Sequence, residues 1–405
     1  MSSVPYTLRE LFFRHVAQTS PYPFGLEIEK AEGVFLYGHH GEKIIDLISG
    51  VSVSNVGHAN REVIDAVKAQ IELHMHLMVY GELIQAPQVE HATLLTSCLP
   101  DNLNSVYYVN SGSEANEAAV KLAKRVTGRR EIVSCYNCYH GSTQGVMSLM
   151  SDEELKRAFR PLLPGISHIN FNNLDDLKKI TEKSAAVIIE PVQGEAGVIL
   201  PVEGYLEALR QRCNEVGALL IFDEVQTGFG RCGKLFAFQK YGVIPDIITL
   251  AKALGGGMPL GAFVASGELM ERWQFSPALG HITTFGGHPV SCASALASLK
   301  VLLKEPWVDE VEVKSQRFVK YLGDHPLIKE IRAAGLLIAV ELGESGLGEL
   351  AVRLLLKEGV MSDWFLSTDS AFRIAPPLCI NETEIDYAVE KILKVLDKIF
   401  SEKGR

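Results

Sequence analysis

The sequence predicts an α/β protein in which helices cover both faces of a large, mostly parallel central sheet. Short apolar runs alternate with helix-period segments through the middle of the chain, and several of these runs are almost continuously apolar. Apolar strands separated by helices are typical of parallel sheets, because the crossover helices bury both faces. The first fifty and the last hundred residues carry a mixed pattern. That pattern predicts a smaller α+β domain built from both ends of the chain.

Six central strands are predicted from short apolar runs bounded by turn residues. They are Ser105–Asn110, Glu131–Cys135, Ala185–Glu190, Ala218–Asp223, Asp246–Leu250 and Ala262–Ser266. Helix periodicity is found at Glu114–Arg125, Tyr205–Val216, Ser291–Leu303 and from Thr383 to about Phe400. Near the start of the chain, Gly33–Tyr37 and Lys43–Ile48 flank a short turn and predict a hairpin. We expect a large domain over residues 51–295 and a small domain that combines residues 1–50 with 296–405.

Composition and charge limit the class of protein. The 405 residues include 39 Lys+Arg and 49 Asp+Glu, which give a net charge of −10, and 47% of the residues are hydrophobic. This is the composition of a globular protein with two or three domains. The acidic balance argues against a general nucleic-acid binder, since such a protein needs a basic face to displace counterions from the phosphates.

The seven cysteines are scattered and odd in number, so they predict no disulfide framework. A reducing compartment is therefore expected, and we predict a cytoplasmic protein. Cys135 and Cys138 form the one close pair, but no second Cys/His pair stands at the spacing of a zinc site. We interpret both as buried thiols and expect no metal.

No membrane or targeting segment is predicted. Arg9, Glu10 and Arg14 interrupt the first apolar stretch, which excludes a signal-peptide core. The stretch Trp273–Leu299 has no Asp, Glu, Lys or Arg, but it contains a polar, glycine-rich loop at His281–Pro289 that a lipid-facing helix would not tolerate. This uncharged loop needs another explanation.

Ligands of open α/β sheets bind beyond the carboxyl ends of the strands, so the residues after each strand are the informative ones. Ser111 and Glu114 follow the first central strand and fit a capping box, with Ser111 as N-cap. Gly112 and Ser113 would then present backbone N–H groups at a helix N-terminus, where anions bind. A plain helix cap and a phosphate site both fit this segment.

Two further strand ends carry weaker signals. Tyr139 precedes His140 and Gly141, and an aromatic ring at this place can stack on a flat ligand or pack in the core. Glu190 and Glu195 stand five residues apart after the next strand. They fit an acid/base pair or a solvated turn, and the segment alone does not decide between them.

Asp223 and Lys252 carry the strongest signals. Asp223 ends a strand of five apolar residues, and a buried carboxylate needs a cationic partner, either a protein base or the protonated ring nitrogen of a cofactor. Lys252 stands directly after an apolar strand and before three glycines. Desolvation there disfavours its ammonium form and makes the nucleophilic amine available. A surface lysine at a strand end is the alternative.

The glycine pattern Gly228–Gly233 resembles a dinucleotide fingerprint but does not fit one. Four residues separate it from the preceding strand, where the tight turn needs almost none, and no helix period follows. A dehydrogenase is therefore not predicted. A phosphate site, an aromatic plate, a buried Asp223 and a desolvated Lys252, in this order, instead fit pyridoxal 5′-phosphate, with Lys252 forming the Schiff base and Asp223 keeping the ring nitrogen protonated.

Nine motifs spread over nearly the whole chain carry a resemblance to a known family. They are Asn55-Val-Gly57-His58, Ser111-Gly-Ser-Glu-Ala115, Tyr139-His-Gly141, Glu190-Pro-Val-Gln-Gly-Glu195, Asp223-Glu-Val-Gln226, Thr227-Gly-Phe-Gly-Arg231, Leu250-Ala-Lys252, Thr284-Phe-Gly-Gly287 and Arg373-Ile-Ala-Pro-Pro377. In order and spacing they resemble the class III (ornithine, acetylornithine and ω-amino acid type) aminotransferases. The resemblance implies the fold-type I architecture of pyridoxal-phosphate transferases.

The resemblance also implies a role for each matching residue. Lys252 is the Schiff-base lysine and the base that moves the proton, Asp223 pairs with the ring nitrogen, and Gln226 lies near the ring hydroxyl. Tyr139 and Val225 sandwich the ring. The implied cofactor-binding residues are Gly112, Ser113, Tyr139, Glu190, Asp223, Val225, Gln226, Lys252 and Thr284.

In the family, the active sites are shared across a homodimer interface. Gly112 and Ser113 would hold the phosphate of their own subunit, and Thr284 would reach the phosphate of the neighbouring one. This would make the uncharged His281–Pro289 loop an interface segment.

The substrate side of the resemblance rests on Arg373 and Glu195. Arg373 matches the arginine that clamps the substrate α-carboxylate, and Glu195 matches the glutamate that pairs with this arginine and releases it when glutamate binds. Family members that recognise a distal carboxylate have Arg after the aromatic-His-Gly motif, where this chain has Ser142.

We therefore predict a homodimeric, ping-pong aminotransferase that moves an amino group from an amino acid or ω-amine donor to a keto acid, with 2-oxoglutarate and glutamate as one partner pair. The donor stays undefined because of Ser142. An aminomutase or a decarboxylase on the same scaffold is the alternative within the cofactor class. A catalytically idle cofactor-binding protein is the alternative outside it.

Overall fold

The computed structural model describes residues 6–403. Within them the strands are Ile28–Glu32 (β1), Phe35–Gly38 (β2), Lys43–Asp46 (β3), Ser105–Val109 (β4), Glu131–Cys135 (β5), Ile166–Ile169 (β6), Ser184–Ile189 (β7), Leu219–Asp223 (β8), Ile247–Leu250 (β9), Gly261–Ala265 (β10), Glu330–Ala334 (β11), Leu337–Glu341 (β12), Val360–Met361 (β13), Asp363–Trp364 (β14) and Ala371–Ile374 (β15).

The α-helices connect and cover these strands. They are Leu8–His15 (α1), Ser49–Ser52 (α2), Arg61–Leu73 (α3), Ala86–Ser97 (α4), Gly112–Thr127 (α5), Gln144–Met147 (α6), Glu153–Lys156 (α7), Tyr205–Val216 (α8), Ala237–Tyr241 (α9), Gly267–Met270 (α10), Pro289–Lys304 (α11), Trp307–Leu322 (α12), Leu347–Lys357 (α13) and Glu382–Lys403 (α14). Short 3₁₀ turns lie at Arg157–Phe159, Asp175–Lys179, Lys252–Gly255 and Glu271–Trp273.

The central sheet has seven strands in the order β4-β10-β9-β8-β7-β5-β6. All neighbouring pairs are parallel except the two made by β10, which runs antiparallel to β4 and β9. Every residue of β7 and β10 is buried. The predicted α/β fold class, with a mostly parallel sheet, is confirmed.

Both faces of this sheet are buried. Alternate residues of each strand point to opposite faces, so neighbouring residues show what covers each face. Ile188 of β7 and Ile221 of β8 belong to the apolar cluster that contains α5, whereas Val187 and Leu220 belong to the cluster that contains α8. The almost continuous apolar runs of the sequence therefore reflect strands with two buried faces.

Helix α5 begins at the edge of the sheet where the predicted anion site lies. The side chain of Ser111 caps the helix by accepting a hydrogen bond from Glu114 N (3.2 Å). The predicted capping box is wrong in one detail, since the Glu114 carboxylate accepts from Asn110 N (2.7 Å) rather than from the backbone of Ser111. The helix ends at Gly128, whose left-handed φ of 68° suits a residue without Cβ.

The two ends of the chain build two four-stranded sheets, in the orders β1-β2-β3-β13 and β11-β12-β15-β14. The predicted hairpin is present as the antiparallel pair β2 and β3. Strand β13 lies parallel to β3, so the last hundred residues pair directly with the first fifty. The domain limits at residues 51 and 295 stay a prediction.

Strand β6, at the edge of the central sheet, is not among the strands predicted from the sequence. Its four residues, Ile166–Ile169, alternate between apolar and polar side chains and give too short a signal. The uncharged stretch Trp273–Leu299 is a loop followed by the first part of α11. Between residues 6 and 403, no helix is long and apolar enough to cross a membrane.

Candidate active site

A cleft of about 670 Å³ opens at the carboxyl ends of the parallel strands, where ligands of such sheets bind. Its walls come from the segments that directly follow β4, β5, β7, β8 and β9. Nine of the predicted site residues line this cleft. They are Gly112, Ser113, Tyr139, Glu190, Glu195, Asp223, Val225, Gln226 and Lys252.

Lys252 is the first residue after β9 that leaves the extended conformation. Its φ of 50° is left-handed, which is uncommon for a residue with a side chain and indicates a conformation imposed by the surrounding structure. Burial lowers the pKa of the Lys252 amine, although the carboxylate of Glu195 opposes the shift. The nucleophilic, uncharged amine is therefore more available here than at the protein surface.

Asp223 ends β8 at the bottom of the cleft and accepts three hydrogen bonds from within the chain. Its Oδ2 accepts from His140 Nδ1 (2.8 Å) and Asn116 Nδ2 (2.7 Å), and its Oδ1 accepts from Val225 N (3.0 Å). Burial opposes a charged imidazole, but the neighbouring Cys138 and Asp223 raise the pKa of His140 well above its usual value. Within the chain, the expected cationic partner of Asp223 is therefore His140.

Asn116 extends this network to the next strand. Its Oδ1 accepts from Thr249 Oγ1 (2.6 Å), while its Nδ2 also donates to His140 O (2.8 Å). Asp223 is held by residues of α5, of the segment after β5 and of its own strand end. This arrangement fixes the carboxylate where it can face the ring nitrogen of a cofactor.

Glu190 joins two backbone segments beside the cleft. Its Oε1 accepts from Tyr139 N (3.0 Å) and its Oε2 accepts from Gly194 N (2.8 Å). Burial raises the pKa of Glu190 to about 7. Glu190 and Glu195 do not form a solvated turn, because both are buried, and each binds its own partners. Glu190 fastens the Tyr139 segment to the loop after β7.

The start of α5 forms the anion-binding end of the cleft. Gly112 and Ser113 occupy the first turn, where the backbone N–H groups have no acceptor within the helix. A Cβ at Gly112 would lie 2.9 Å from Val225, so only glycine allows this approach. Ser113 Oγ lies 2.9 Å from Thr143 Oγ1 and accepts from Thr143 N (3.1 Å).

The cleft fits pyridoxal phosphate on three structural observations. Gln226 Nε2 is buried and has no hydrogen-bond partner within residues 6–403, so it is a donor that lacks an acceptor. Gly112 and Ser113 place N–H groups where a phosphate would bind. Lys252 and Asp223 line the same cleft, as an aldehyde and a ring nitrogen require.

Arg373 and Glu195 form a buried ion pair beside the cleft. Arg373 lies on β15 and is 1% exposed, and its Nη2 donates to Glu195 Oε2 (2.7 Å). Its guanidinium carbon lies 4.6 Å from the centroid of the Phe365 ring. Burial would raise the pKa of Glu195, but the ion pair with Arg373 outweighs it and lowers this pKa.

The remaining nitrogens of Arg373 are not used. Its Nε and Nη1 are buried without a hydrogen-bond partner among the described residues. Arg373 itself does not line the cleft, but its partner Glu195 does. Arg373 is therefore bound to Glu195 through Nη2, while its Nε and Nη1 remain available as donors.

Thr284 is the one predicted cofactor-binding residue outside this arrangement. It is exposed, in the loop before α11, and it does not line the cleft of its own chain. Its neighbour Phe285 is also exposed. The role of Thr284 at a neighbouring subunit stays a prediction.

Sequence reasoning missed the residues that hold Asp223. Asn116 stands among the alanines of the buried face of α5, and a polar residue on such a face was the available signal. His140 lay inside a quoted motif but had received no role. Cys135 and Cys138, in contrast, are buried free thiols, as predicted. Among residues 6–403, no group of three or more His, Cys, Asp and Glu side chains is arranged to hold a metal ion.

The chain matches the family model described as aminotransferase class-III over residues 16–396. It is 38% identical over 385 residues to the acetylornithine aminotransferase of Methanocaldococcus jannaschii, an alignment that covers 92% of this chain and 93% of that protein. It is also 38% identical over 378 residues to the putrescine aminotransferase of Pectobacterium atrosepticum, which covers 89% of this chain and 80% of that protein.

Solved structures agree. The ornithine aminotransferase of Toxoplasma gondii, a structure with partial occupancy of PLP at its active site, has a TM-score of 0.90 at 29% identity and covers 98% of this chain and 96% of that chain. The ω-transaminase of Pseudomonas jessenii in complex with PMP has a TM-score of 0.90 at 28% identity, with 98% and 99% of the two chains covered.

These similarities extend over nearly the whole chain and agree with the geometry of the cleft. Enzymes of this family depend on pyridoxal phosphate and have the fold-type I architecture. The predicted fold, enzyme class and cofactor are confirmed. The chain belongs to the class III aminotransferases.

Proposed function

We propose that this aminotransferase carries its cofactor on Lys252 and uses the same residue to move the proton during amino transfer. The observation that carries the proposal is that the Lys252 amine and the fixed Asp223 carboxylate line one cleft. Burial also lowers the pKa of the Lys252 amine. When bound, pyridoxal phosphate supplies an aldehyde that takes up the amino group and a ring that stores the electron pair of the substrate carbon.

The residues of the chain prepare this cleft for that chemistry. Lys252 Nζ, once free, accepts the proton of the substrate carbon that bears the nitrogen. Asp223, held by His140 and Asn116, favours a protonated ring nitrogen through its charge. Tyr139 and Val225 line the cleft and are proposed to bind the two faces of the ring.

Arg373 is proposed to bind the substrate α-carboxylate once Glu195 moves away. The unpartnered Nε and Nη1 of Arg373 support this, because a carboxylate can accept two parallel hydrogen bonds from a guanidinium. Glutamate and 2-oxoglutarate are proposed as one substrate pair.

The reaction class is tested on the purified protein. We expect a yellow protein that consumes 2-oxoglutarate and forms glutamate in strict stoichiometry with the amino donor consumed. An aminomutase or a decarboxylase would consume no keto acid. A colourless protein that binds no pyridoxal phosphate would contradict the proposal.

A homodimer with shared sites is proposed for the surface around Thr284. The stacked rings of His76 and His288 (5.3 Å between centroids) join the segment after α3 to the loop that carries Thr284. Exposed apolar residues crowd these two segments, and they are Ile71, Leu73, Met75, Leu77, Met78, Leu83, Ile84, Phe275, Leu279, Ile282 and Phe285. A patch of this kind is typical of a protein–protein interface.

Subunit mixing tests the shared site. Lys252→Ala and Thr284→Asp subunits, each inactive alone, are mixed and allowed to exchange. If Thr284 serves the neighbouring subunit, each heterodimer regains one intact site, and the mixture recovers about a quarter of wild-type activity. No recovery, with heterodimers verified by mass, would contradict a role of Thr284 at the neighbouring subunit.

A cytoplasmic location is also proposed. All seven cysteines are free, and the close pair Cys135 and Cys138 forms no disulfide. This fits a compartment that keeps thiols reduced. Detection of a tagged protein in the soluble cell fraction tests it, and secretion into the medium would contradict it.

A further inference from the structure

A second cavity, of about 570 Å³, adjoins the active-site cleft. Its apolar walls are Met147 and Met150, Leu155 and Phe159 of the segment around α7, and Leu366 of the segment after β14. We call this cavity the apolar chamber. Phe159 is 55% and Leu366 is 50% exposed, so large apolar surface faces an open space.

The apolar chamber shares two residues with the active-site cleft. Tyr139 and Ser142 line both, and their hydroxyl oxygens lie 2.9 Å apart. On the other side, Leu366 N donates to Glu195 Oε2 (3.3 Å), the carboxylate paired with Arg373. The chamber therefore lies next to both the proposed ring-binding residue and the proposed substrate clamp.

No charged side chain lines the chamber within the described part of the chain. Its remaining polar residue, Gln144, donates Nε2 to the carbonyl oxygens of Phe159 (3.2 Å) and Pro161 (3.0 Å). The nearby cation Lys156 is buried, donates to Met150 O, and pairs with Glu153 (3.3 Å). The amide nitrogen of Gln144 and the ammonium group of Lys156 are thus already bound.

We propose that the apolar chamber binds an uncharged aliphatic or aromatic distal group of the amino donor. The proposal rests on the proposed transamination and adds its donor class. A distal carboxylate would be desolvated there without a cation, which is costly, whereas an alkyl or aryl group would cover exposed apolar walls. The two methionines are flexible and suit distal groups of different shape.

Matched donors of equal chain length test the proposal on the holoenzyme. Hexylamine and 6-aminohexanoate differ in their distal ends. We expect kcat/KM for hexylamine to exceed that for 6-aminohexanoate by more than about tenfold. Equal values, or preference for 6-aminohexanoate, would overturn the proposal while leaving transamination established. Turnover of no donor at all, by a protein that binds the cofactor, would instead contradict the proposed function.

Variants identify the chamber as the source of the preference. Phe159→Ala should lower kcat/KM for hexylamine about tenfold and leave that for ethylamine, which is too short to reach it, unchanged. Leu163→Ala removes an apolar side chain from the same segment outside the lining and should change neither value. Phe159→Leu should restore most of the loss. Equal losses for both amines in Phe159→Ala would contradict a distal-group site.

A binding readout is independent of turnover. Methyl resonances of Met147 and Met150, assigned by Met→Leu variants, are followed while 1-hexanol or hexanoate is added to the holoenzyme. We expect saturable shifts of both resonances with 1-hexanol and none with hexanoate at equal concentration. Shifts with hexanoate alone, or with neither probe, would overturn the proposal.

Discussion

The two sides of the cleft handle buried charge in opposite ways. On one side, Asp223 accepts three hydrogen bonds from His140, Asn116 and Val225, all within the chain. On the other side, Arg373 donates to Glu195 and leaves two buried nitrogens without partners in the described residues. The first arrangement is fixed in advance, whereas the second keeps donors for an exchangeable ligand.

The difference fits the two kinds of molecule that a ping-pong transferase handles. A resident cofactor benefits from groups that need no reorganisation, since the orientation of Asp223 is settled during folding. Substrates alternate, so their clamp must open and close. The Arg373–Glu195 pair can do so by exchanging one carboxylate for another.

The largest effect is expected at Lys252, which belongs to neither side. Lys252→Ala removes the amine that carries the cofactor and moves the proton, and we expect kcat to fall by about 10⁴-fold or more. The measurement is single-turnover conversion of glutamate by the purified variant. Loss of less than about tenfold, in a folded variant that still binds cofactor, would show that another base acts.

Asp223→Asn tests the fixed side. The amide keeps the size of the side chain but removes the charge that favours a protonated ring nitrogen, so we expect kcat to fall about 100- to 1000-fold. Asn116→Ala is the matched change at a hydrogen-bond partner of Asp223. It should lower kcat only about tenfold, because Asp223 keeps its bond to His140. Equal effects of the two changes would mean that Asp223 acts only as a structural partner.

Arg373→Gln tests the exchangeable side. Loss of the guanidinium should raise KM for glutamate and lower kcat/KM about 100-fold, while kcat/KM for a simple amine without a carboxylate stays within about threefold. Glu195→Gln, which weakens the competing carboxylate, should lower KM for glutamate. Equal losses for glutamate and the amine in Arg373→Gln would argue against a carboxylate clamp.

The smallest effect concerns stability and pH. Burial raises the pKa of Glu190 to about 7, above the value of about 4.5 in an unfolded chain, so the folded state holds its proton more tightly. Its contribution is greatest below pH 4.5 and is lost as pH rises through 7. Glu224, whose pKa burial also raises to about 7, acts in the same direction.

Glu190→Gln should therefore reduce the fall in the free energy of unfolding between pH 5 and pH 8 by about 1–3 kcal/mol. Urea unfolding at these pH values measures it, and the Glu224 contribution should remain. An unchanged pH dependence would show that Glu190 titrates normally.

Residues that directly follow strands could be predicted from the sequence. Lys252 and Asp223 are predicted to lie together because the carboxyl ends of parallel strands meet at one edge of a sheet, and both residues line one cleft in the structure. The partners of Asp223 could not be predicted from the sequence, because the hydrogen bond from Asn116 depends on the packing of α5 against the sheet.

Arg373 shows a different limit. It lies 178 residues after Glu195, and local patterns give no indication of contacts over such a separation. Only the family resemblance paired the two. The apolar chamber was not predicted at all, because α6, α7 and the neighbouring 3₁₀ turn are too short to give a periodic signal.

The most direct test of the central claim is borohydride reduction of the yellow holoenzyme, followed by peptide mass mapping. We expect one modified peptide, with the reduced cofactor on Lys252 Nζ. A label on any other lysine, or no stable label on a cofactor-saturated protein, would contradict it.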